Sequence, residues 1–364
     1  MMYLCIKIIA LMLNLNIENI TLSSSLPNRF TIEQVDDVVT CWVEMNGVRL
    51  YTTTLSAKDH TAIFYDLRTL VEDYMKAHNL TVGTFLFEAD YGQGGECVDD
   101  ITIVYAPFAH GMDSDIEFLE SHFLTSRRNY SVPRGCPINL VFFASDREQF
   151  TVMVDCVFRK NGELNPCYYE ERIRQERYAA KYSFCMESEY VTRMCYEVDG
   201  DEMGELMSAT ATVGNRSITI YYTDDKPIIT FGFRNIFNVL EYAHVIGKEV
   251  LKTDISRKEA SCQGITSFYD ESIEQKHHIE TCHLTADEAK WFNEFLASQD
   301  IFVTVQPEEY QIRVVITDIT SEINYSPSEQ TRMKFAWKFA ENREWRSIEQ
   351  PVQIFTNRFN PAFQ

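Results

Sequence analysis

Beyond residue 30 the chain alternates apolar and polar side chains with a period of two, the signature of strands that bury one face. Residues 38–45 and 48–55 are β-branched and aromatic runs joined by Asn46-Gly47, the strongest short hairpin signal. Residues 62–65 predict another strand. The period then changes: Leu67, Leu70, Val71 and Tyr74 recur at helical spacing, which predicts a helix over 66–77. Strands are expected at 81–89 and 100–107, flanking the loop Tyr91-Gly92-Gln93-Gly94-Gly95. A short acidic amphipathic helix is expected over 113–123, with Ile116, Leu119 and Phe123 on one side. Residues 138–144 and 149–159 predict strands around a turn at Ser145-Asp146-Arg147-Glu148, and Asn161-Gly162 closes a second candidate hairpin.

Residues 167–182 mix aromatics with dense charge and read as a connector, partly strand. A second strand series is expected at 182–197, 205–213, 216–223 and 228–233, with the acidic loop Val198-Asp199-Gly200-Asp201-Glu202 after the first. Further strands are expected at 235–243, 248–254, 262–269, 301–305, 310–317 and 333–340. The best helix lies over 285–298: Thr285 with Glu288 three residues on makes a capping box, and Ala289, Phe292, Phe295 and Leu296 form its apolar face. No repeat of constant period is visible, although both halves alternate strands with one amphipathic helix ending in Phe. The expected fold is mainly β, with two β-sandwich-like domains that each carry one or two short amphipathic helices. Their expected limits are 30–170 and 171–364, after an N-terminal arm or weak signal-like leader at 1–29.

The leader carries one lysine, Lys7, before Ile8-Ile9-Ala10-Leu11-Met12-Leu13, and Ser23-Ser24-Ser25 is a poor cleavage motif. The run is too short to span a bilayer, so membrane insertion is not expected. Fifty-four carboxylates against 33 bases give a net charge of −21, a field that repels phosphate backbones and anionic surfaces. No nucleic-acid partner is expected; the charge suits solubility, or a basic partner subunit. Aromatics reach 13%, with 24 Phe and 19 Tyr, and such residues favour pleated surfaces and subunit interfaces. The ten cysteines are scattered and several sit inside apolar strand patterns, as Cys41 and Cys156 do, so reduced, buried thiols are expected.

Candidate chemistry is sparse. Asp199-Gly200-Asp201 lacks the register of a calcium loop, and an ordinary solvated tip is expected there. His277, His278, Glu280, Cys282 and His283 are the densest metal-capable set, but they crowd seven positions of one expected strand instead of forming spaced pairs. The Tyr91–Gly95 loop lacks the Lys-Ser/Thr of a phosphate loop, and no Gly-x-Ser-x-Gly occurs. No catalytic, cofactor or metal residue is therefore assigned, and the chain is not expected to be an enzyme. The residues singled out are Phe233, Arg234 and Asn235 of the Gly-Phe-Arg-Asn turn. A guanidinium there can lock the turn internally or reach a neighbouring subunit.

Three stretches carry a family resemblance: Gly232-Phe233-Arg234-Asn235-Ile236-Phe237-Asn238, the helix Leu284-Thr285-Ala286-Asp287-Glu288-Ala289-Lys290-Trp291-Phe292, and the ending from Phe335 through Trp337 to Arg343. Together with Asp66-Leu67-Arg68, Ile103-Val104-Tyr105 and Phe118-Leu119-Glu120, they resemble structural proteins in the tail modules of phages and prophages of Bacteroides-type gut bacteria. The resemblance implies a tail or baseplate component that forms homo-oligomers and contacts other tail proteins in a virion, assembled in the bacterial cytoplasm. It implies no catalytic residues. The apolar leader departs from that pattern and keeps a second expectation open: a secreted or surface β-sandwich adhesin binding carbohydrate or host protein.

Overall fold

The computed structural model describes residues 18–33, 35–90, 96–112, 114–145, 150–174, 179–200, 203–262, 265–305, 310–321 and 331–341. The leader up to Ile17, the Tyr91–Gly95 loop, Asp201, Glu202, Asn342 and Arg343 lie outside them. The architecture is mainly β, with several sheets and four α-helices among the described residues: α1 (Leu67–Ala77), α2 (Asp115–Ser121), α3 (Ser188–Asp199) and α4 (Ala286–Ala297). Two compact units emerge, Met1–Asp225 with Arg234–Tyr242, and Lys226–Phe233 with Ala243–Gln364. The expected boundary at 170 falls inside strand Glu163–Ile173, which pairs along its whole length with Phe150–Lys160. The ladder continues through Glu205–Val213 and Arg216–Thr223, so the first unit extends well beyond 170.

The first unit is a topological duplication. In its first half, Val48–Ser56, Val38–Met45, Val82–Asp90 and Glu96–Val104 form consecutive antiparallel pairs, and Ile20–Leu22 adds parallel to the last. In its second half, Glu163–Ile173, Phe150–Lys160, Glu205–Val213 and Arg216–Thr223 pair in the same order, and Asn129–Pro133 again adds parallel to the last. Each half carries a separate two-stranded antiparallel ribbon, Arg29–Glu33 with Thr61–Tyr65 and Asn139–Ala144 with Ala180–Cys185. Each places one helix, α1 or α3, between the second ribbon strand and the second hairpin. The loops differ in length between the halves, so topology repeats without a constant sequence period. Each half buries its own aliphatic and aromatic core, centred on Val43, Phe64, Val71 and Phe87 in one and on Phe142, Val154, Phe158 and Val191 in the other.

Local chemistry explains the hairpins. Asn46 and Asn161 adopt φ of 51° and 54°, the left-handed region that two-residue hairpin turns require and asparagine tolerates. Strand Val38–Met45 then alternates cleanly, with Val39, Cys41, Val43 and Met45 facing the core. Helix α3 occupies residues expected to be strand. Its buried positions Ser188, Val191 and Cys195 follow helical spacing, and Gly200 closes it at φ 73°. Residues 235–239, also expected as strand, form a turn before strand Leu240–Val245.

A third core joins the halves of this unit. Ile20, Leu22, Val104, Phe118, Leu119, Phe143, Phe237 and Val239 are all buried together. Two charged side chains sit beside it. Asp115 of α2 accepts hydrogen bonds from Thr21 Oγ1 (2.6 Å), Leu22 N (2.8 Å), Ser25 Oγ (2.9 Å) and the His110 ring (2.7 Å), which tie the first strand down. Burial pushes its carboxyl up, but the hydrogen bonds outweigh that and hold it below the usual range. Arg216, 4% exposed, donates to the carbonyls of Leu119 (2.9 and 2.6 Å), His122 (3.2 Å) and Phe143 (2.8 Å). Burial lowers its pKa to about 10.

The second unit is built on a seven-stranded sheet, in order Leu240–Val245, Ile229–Arg234, Ile301–Val305, Tyr310–Ser321, Met333–Phe339, Ile265–Thr281 and Gly247–Cys262. Its first and last strands in that order are consecutive in sequence, separated by Ile246 alone, so the sheet turns a corner there. Gly247 is the residue that fits: a Cβ on it would lie 2.2 Å from the Glu280 carbonyl oxygen. Helix α4 covers the core with Ala289, Trp291, Phe292, Phe295 and Leu296 against Phe231, Phe233, Phe335 and Trp337. Its capping box is formed as the sequence pattern requires, with Thr285 Oγ1 accepting from Glu288 N.

Candidate functional site

The Gly-Phe-Arg-Asn motif is resolved in detail. Gly232 sits in a strand opposite Phe302, whose ring covers it; a Cβ there would lie 2.2 Å from the ring. Phe233 is fully buried against Trp291 (5.6 Å between ring centroids) and Phe295 (5.4 Å). Asn235 is 4% exposed and uses both ends of its amide. Its Nδ2 donates to Leu124 O (2.8 Å) and Glu241 Oε1 (2.9 Å), while its Oδ1 accepts from Phe237 N (2.9 Å) and Val239 N (3.0 Å). Arg234 Nη1 donates to Asn238 O at 3.3 Å. Asn238 takes φ 60° and donates Nδ2 to Met75 O (3.0 Å) and Leu80 O (3.2 Å). Buried amides satisfied this fully fix a turn and offer little to a ligand.

The histidine-rich stretch disperses. His277 stacks on Trp337 (4.0 Å between centroids) and contacts Glu249 Oε1 through Nδ1 at 2.9 Å. Glu280 faces Arg332 (3.4 Å) and Lys334 (3.7 Å), while His283 Nε2 lies 2.9 Å from Arg332. Among the described residues no three His, Cys, Asp or Glu side chains converge to hold a metal ion. The free thiols Cys41 and Cys167 are buried and pushed up to about 12 by burial, so they stay protonated and unreactive at neutral pH. An open depression of about 860 Å³ lies beside α3 and is lined by two arginines: Arg134 is held by Glu205 (2.9 Å), Asp224 and the Leu206 carbonyl (2.8 Å), and the Arg193 guanidinium lies 5.2 Å from the Tyr190 ring. Asp199 ends α3, so the acidic stretch begins at a helix terminus.

The feature that sequence reading did not locate is an arm. Strands Gly247–Cys262 and Ile265–Thr281 form one long hairpin, yet the sheet's next strand, Met333–Phe339, pairs only with His277–Glu280. From Lys276 outward the ribbon projects roughly 40 Å with no further strand beside it among the described residues. Register assigns its two faces. Leu251, Ile255, Ile273 and Phe268 share one, with the Arg257 guanidinium 5.3 Å from the Phe268 ring. Lys252, Lys276, Asp254, Glu274, Ser256 and Ser272 share the other. Both faces are open: Leu251 is 50% exposed, Ile255 54% and Phe268 56% on one, and Lys252, Asp254, Ser256 and Ser272 are exposed on the other. The signal was present as period-two alternation through 251–257, but the expectation stopped the strands at 254 and 269.

The chain is thus a mainly β protein with a duplicated first unit and an arm-bearing second unit. No protein-family model and no curated protein matches it. Among solved structures it is similar to a chain of the phage p2 baseplate in its activated conformation with Sr, at 15% identity and a TM-score of 0.20, over 31% of this chain and 44% of that one. It is also similar to Escherichia coli alpha-2-macroglobulin in the native conformation, at 7% identity and a TM-score of 0.18, over 87% of this chain and 24% of that one. A third similarity is to CBD12 from CALX1.2, at 6% identity and a TM-score of 0.15, over 54% and 76% of the two chains. The chain spans less than half of the baseplate chain and about a quarter of the macroglobulin chain. Likenesses of this strength define neither fold nor function.

Proposed function

We propose that this protein is a non-enzymatic structural component of a phage tail or tail-like assembly, carried in the virion, that works through contacts with copies of itself and with other tail proteins. The observation that carries the reading is the arm. A two-stranded ribbon is at best marginally stable in water, and this one has one face of exposed Leu251, Ile255, Phe268 and Ile273. Burying such side chains is worth about 1.5–3 kcal/mol each, a driving force that an assembly would supply. The motif resemblance supplies the tail context. The reading is supported by the Asn235 turn, whose buried amide is fully bonded within the chain and so serves the fold.

The test is the state of the natively produced chain. Tail-like particles or rings that contain many copies, purified together with other tail proteins, are the expected result. A monodisperse monomer that cleaves or binds a glycan, with the activity lost on carboxylate substitution, sinks the reading.

A further inference from the structure

The outer edge of the arm is strand Gly247–Cys262, the last strand of its sheet among the described residues, and residues 248–260 are exposed along it. We infer that this strand pairs antiparallel with the same strand of a second copy, about a twofold axis at Thr253, so that two sheets continue into one another. The inference rests on the assembly reading and names its contact.

The side-chain sequence of the edge selects both partner and register. Two antiparallel copies of one strand are related by an axis perpendicular to the sheet, which keeps each face on its own side. Residue pairs must then share parity, so only axes passing through a residue are allowed. With the axis at Thr253, Leu251 meets Ile255 of the second copy on the apolar face, Lys252 meets Asp254 on the polar face, and Glu249 meets Arg257. Symmetry doubles every pair. The one like-charged pair, Lys248 with Lys258, lies toward the ends. Moving the axis to Asp254 sets that carboxylate against its own copy and Glu249 against Glu259; moving it to Lys252 does the same to that ammonium and leaves Leu251 facing Thr253. Cross-strand opposite charges stabilise and like charges destabilise, so the neighbouring registers are disfavoured. On the other edge of the arm Met333–Phe339 already occupies His277–Glu280, which leaves a shorter open strand there. The joined arms would bring both apolar faces into one continuous surface, twice that of one copy.

Two experiments read the register. Directly opposed residues on antiparallel strands lie about 4.5–5.5 Å apart at Cα, within disulfide reach. Thr253→Cys in the full chain should therefore give a covalent dimer on mild oxidation, with the 253–253 linkage identified by peptide mass spectrometry apart from the native cysteines. Lys252→Glu should weaken association about tenfold by sedimentation, and the swap Lys252→Glu with Asp254→Lys should recover it, circular dichroism checking that each variant folds. An assembling protein that yields no 253–253 linkage, or whose double swap is no better than the single variant, overturns this contact and leaves the assembly reading standing. A wild-type chain that stays at its 42.4 kDa monomer mass at every concentration overturns both.

Discussion

Two long hairpins in this molecule obey the same local rules and have opposite fates. Phe150–Lys160 with Glu163–Ile173 closes on Asn161-Gly162 and buries Val152, Val154, Cys156 and Phe158 in the core of its own unit. Gly247–Cys262 with Ile265–Thr281 is longer, carries a comparable apolar face, and buries almost none of it. Backbone pairing is therefore not what separates them. The first hairpin is flanked by Glu205–Val213, which supplies another strand and a helix-covered core. The second leaves its sheet after four paired residues, His277–Glu280, and among the described residues meets no further strand. Apolar side chains on a ribbon become core only when another element covers them; otherwise they remain a surface in need of a partner.

Substitutions can break this comparison. Phe158→Ala removes a fully buried ring from the packed hairpin and should cost about 3–5 kcal/mol, read by denaturant unfolding; a loss under about 1 kcal/mol would show that the core does not depend on it. Arg216→Ala removes the donor from the buried Leu119 and Phe143 carbonyls and from the part-buried His122 carbonyl, and should cost about 3 kcal/mol, seen as a lowered midpoint in the same assay. Asp115 gives a smaller, pH-gated effect. Its folded pKa lies below that of the unfolded chain, so its stabilisation is present above roughly pH 3.9 and is lost as pH falls through the folded value. The Asp115→Asn variant should lack this acid-side slope in thermal midpoint, while sharing the remaining profile. The smallest effect belongs to the arm: Phe268→Ala should shift the stability of the unassembled chain by less than about 0.5 kcal/mol. A large loss there would mean that the arm is already packed within a single copy.

The duplicated halves offer a second contrast, in what a sequence reveals. In the first half, Leu67, Val71 and Met75 mark α1 plainly. In the second, α3 is dense in Tyr, Val, Met and Cys, residues that equally suit a strand. Gly200 at its end was the available stop signal, since a helix closing on a left-handed residue favours glycine. The repeat itself was hidden because insertions between elements shift the spacing while the pairing order stays the same.

What the amino-acid sequence determined alone was everything set by neighbours along the chain. The Asn-Gly hairpins, the α4 capping box, the α1 stripe and the alternating strands each follow from interactions within a few residues. The tertiary structure alone decided which strands pair, because pairing order depends on cores assembled from distant segments. It also decided what the singled-out turn does. Asn235 meets the Leu124 carbonyl 111 residues away, a contact that no local pattern encodes. The same holds for the arm: alternation makes a ribbon, but only the place where the neighbouring strand stops leaves its apolar face open to water.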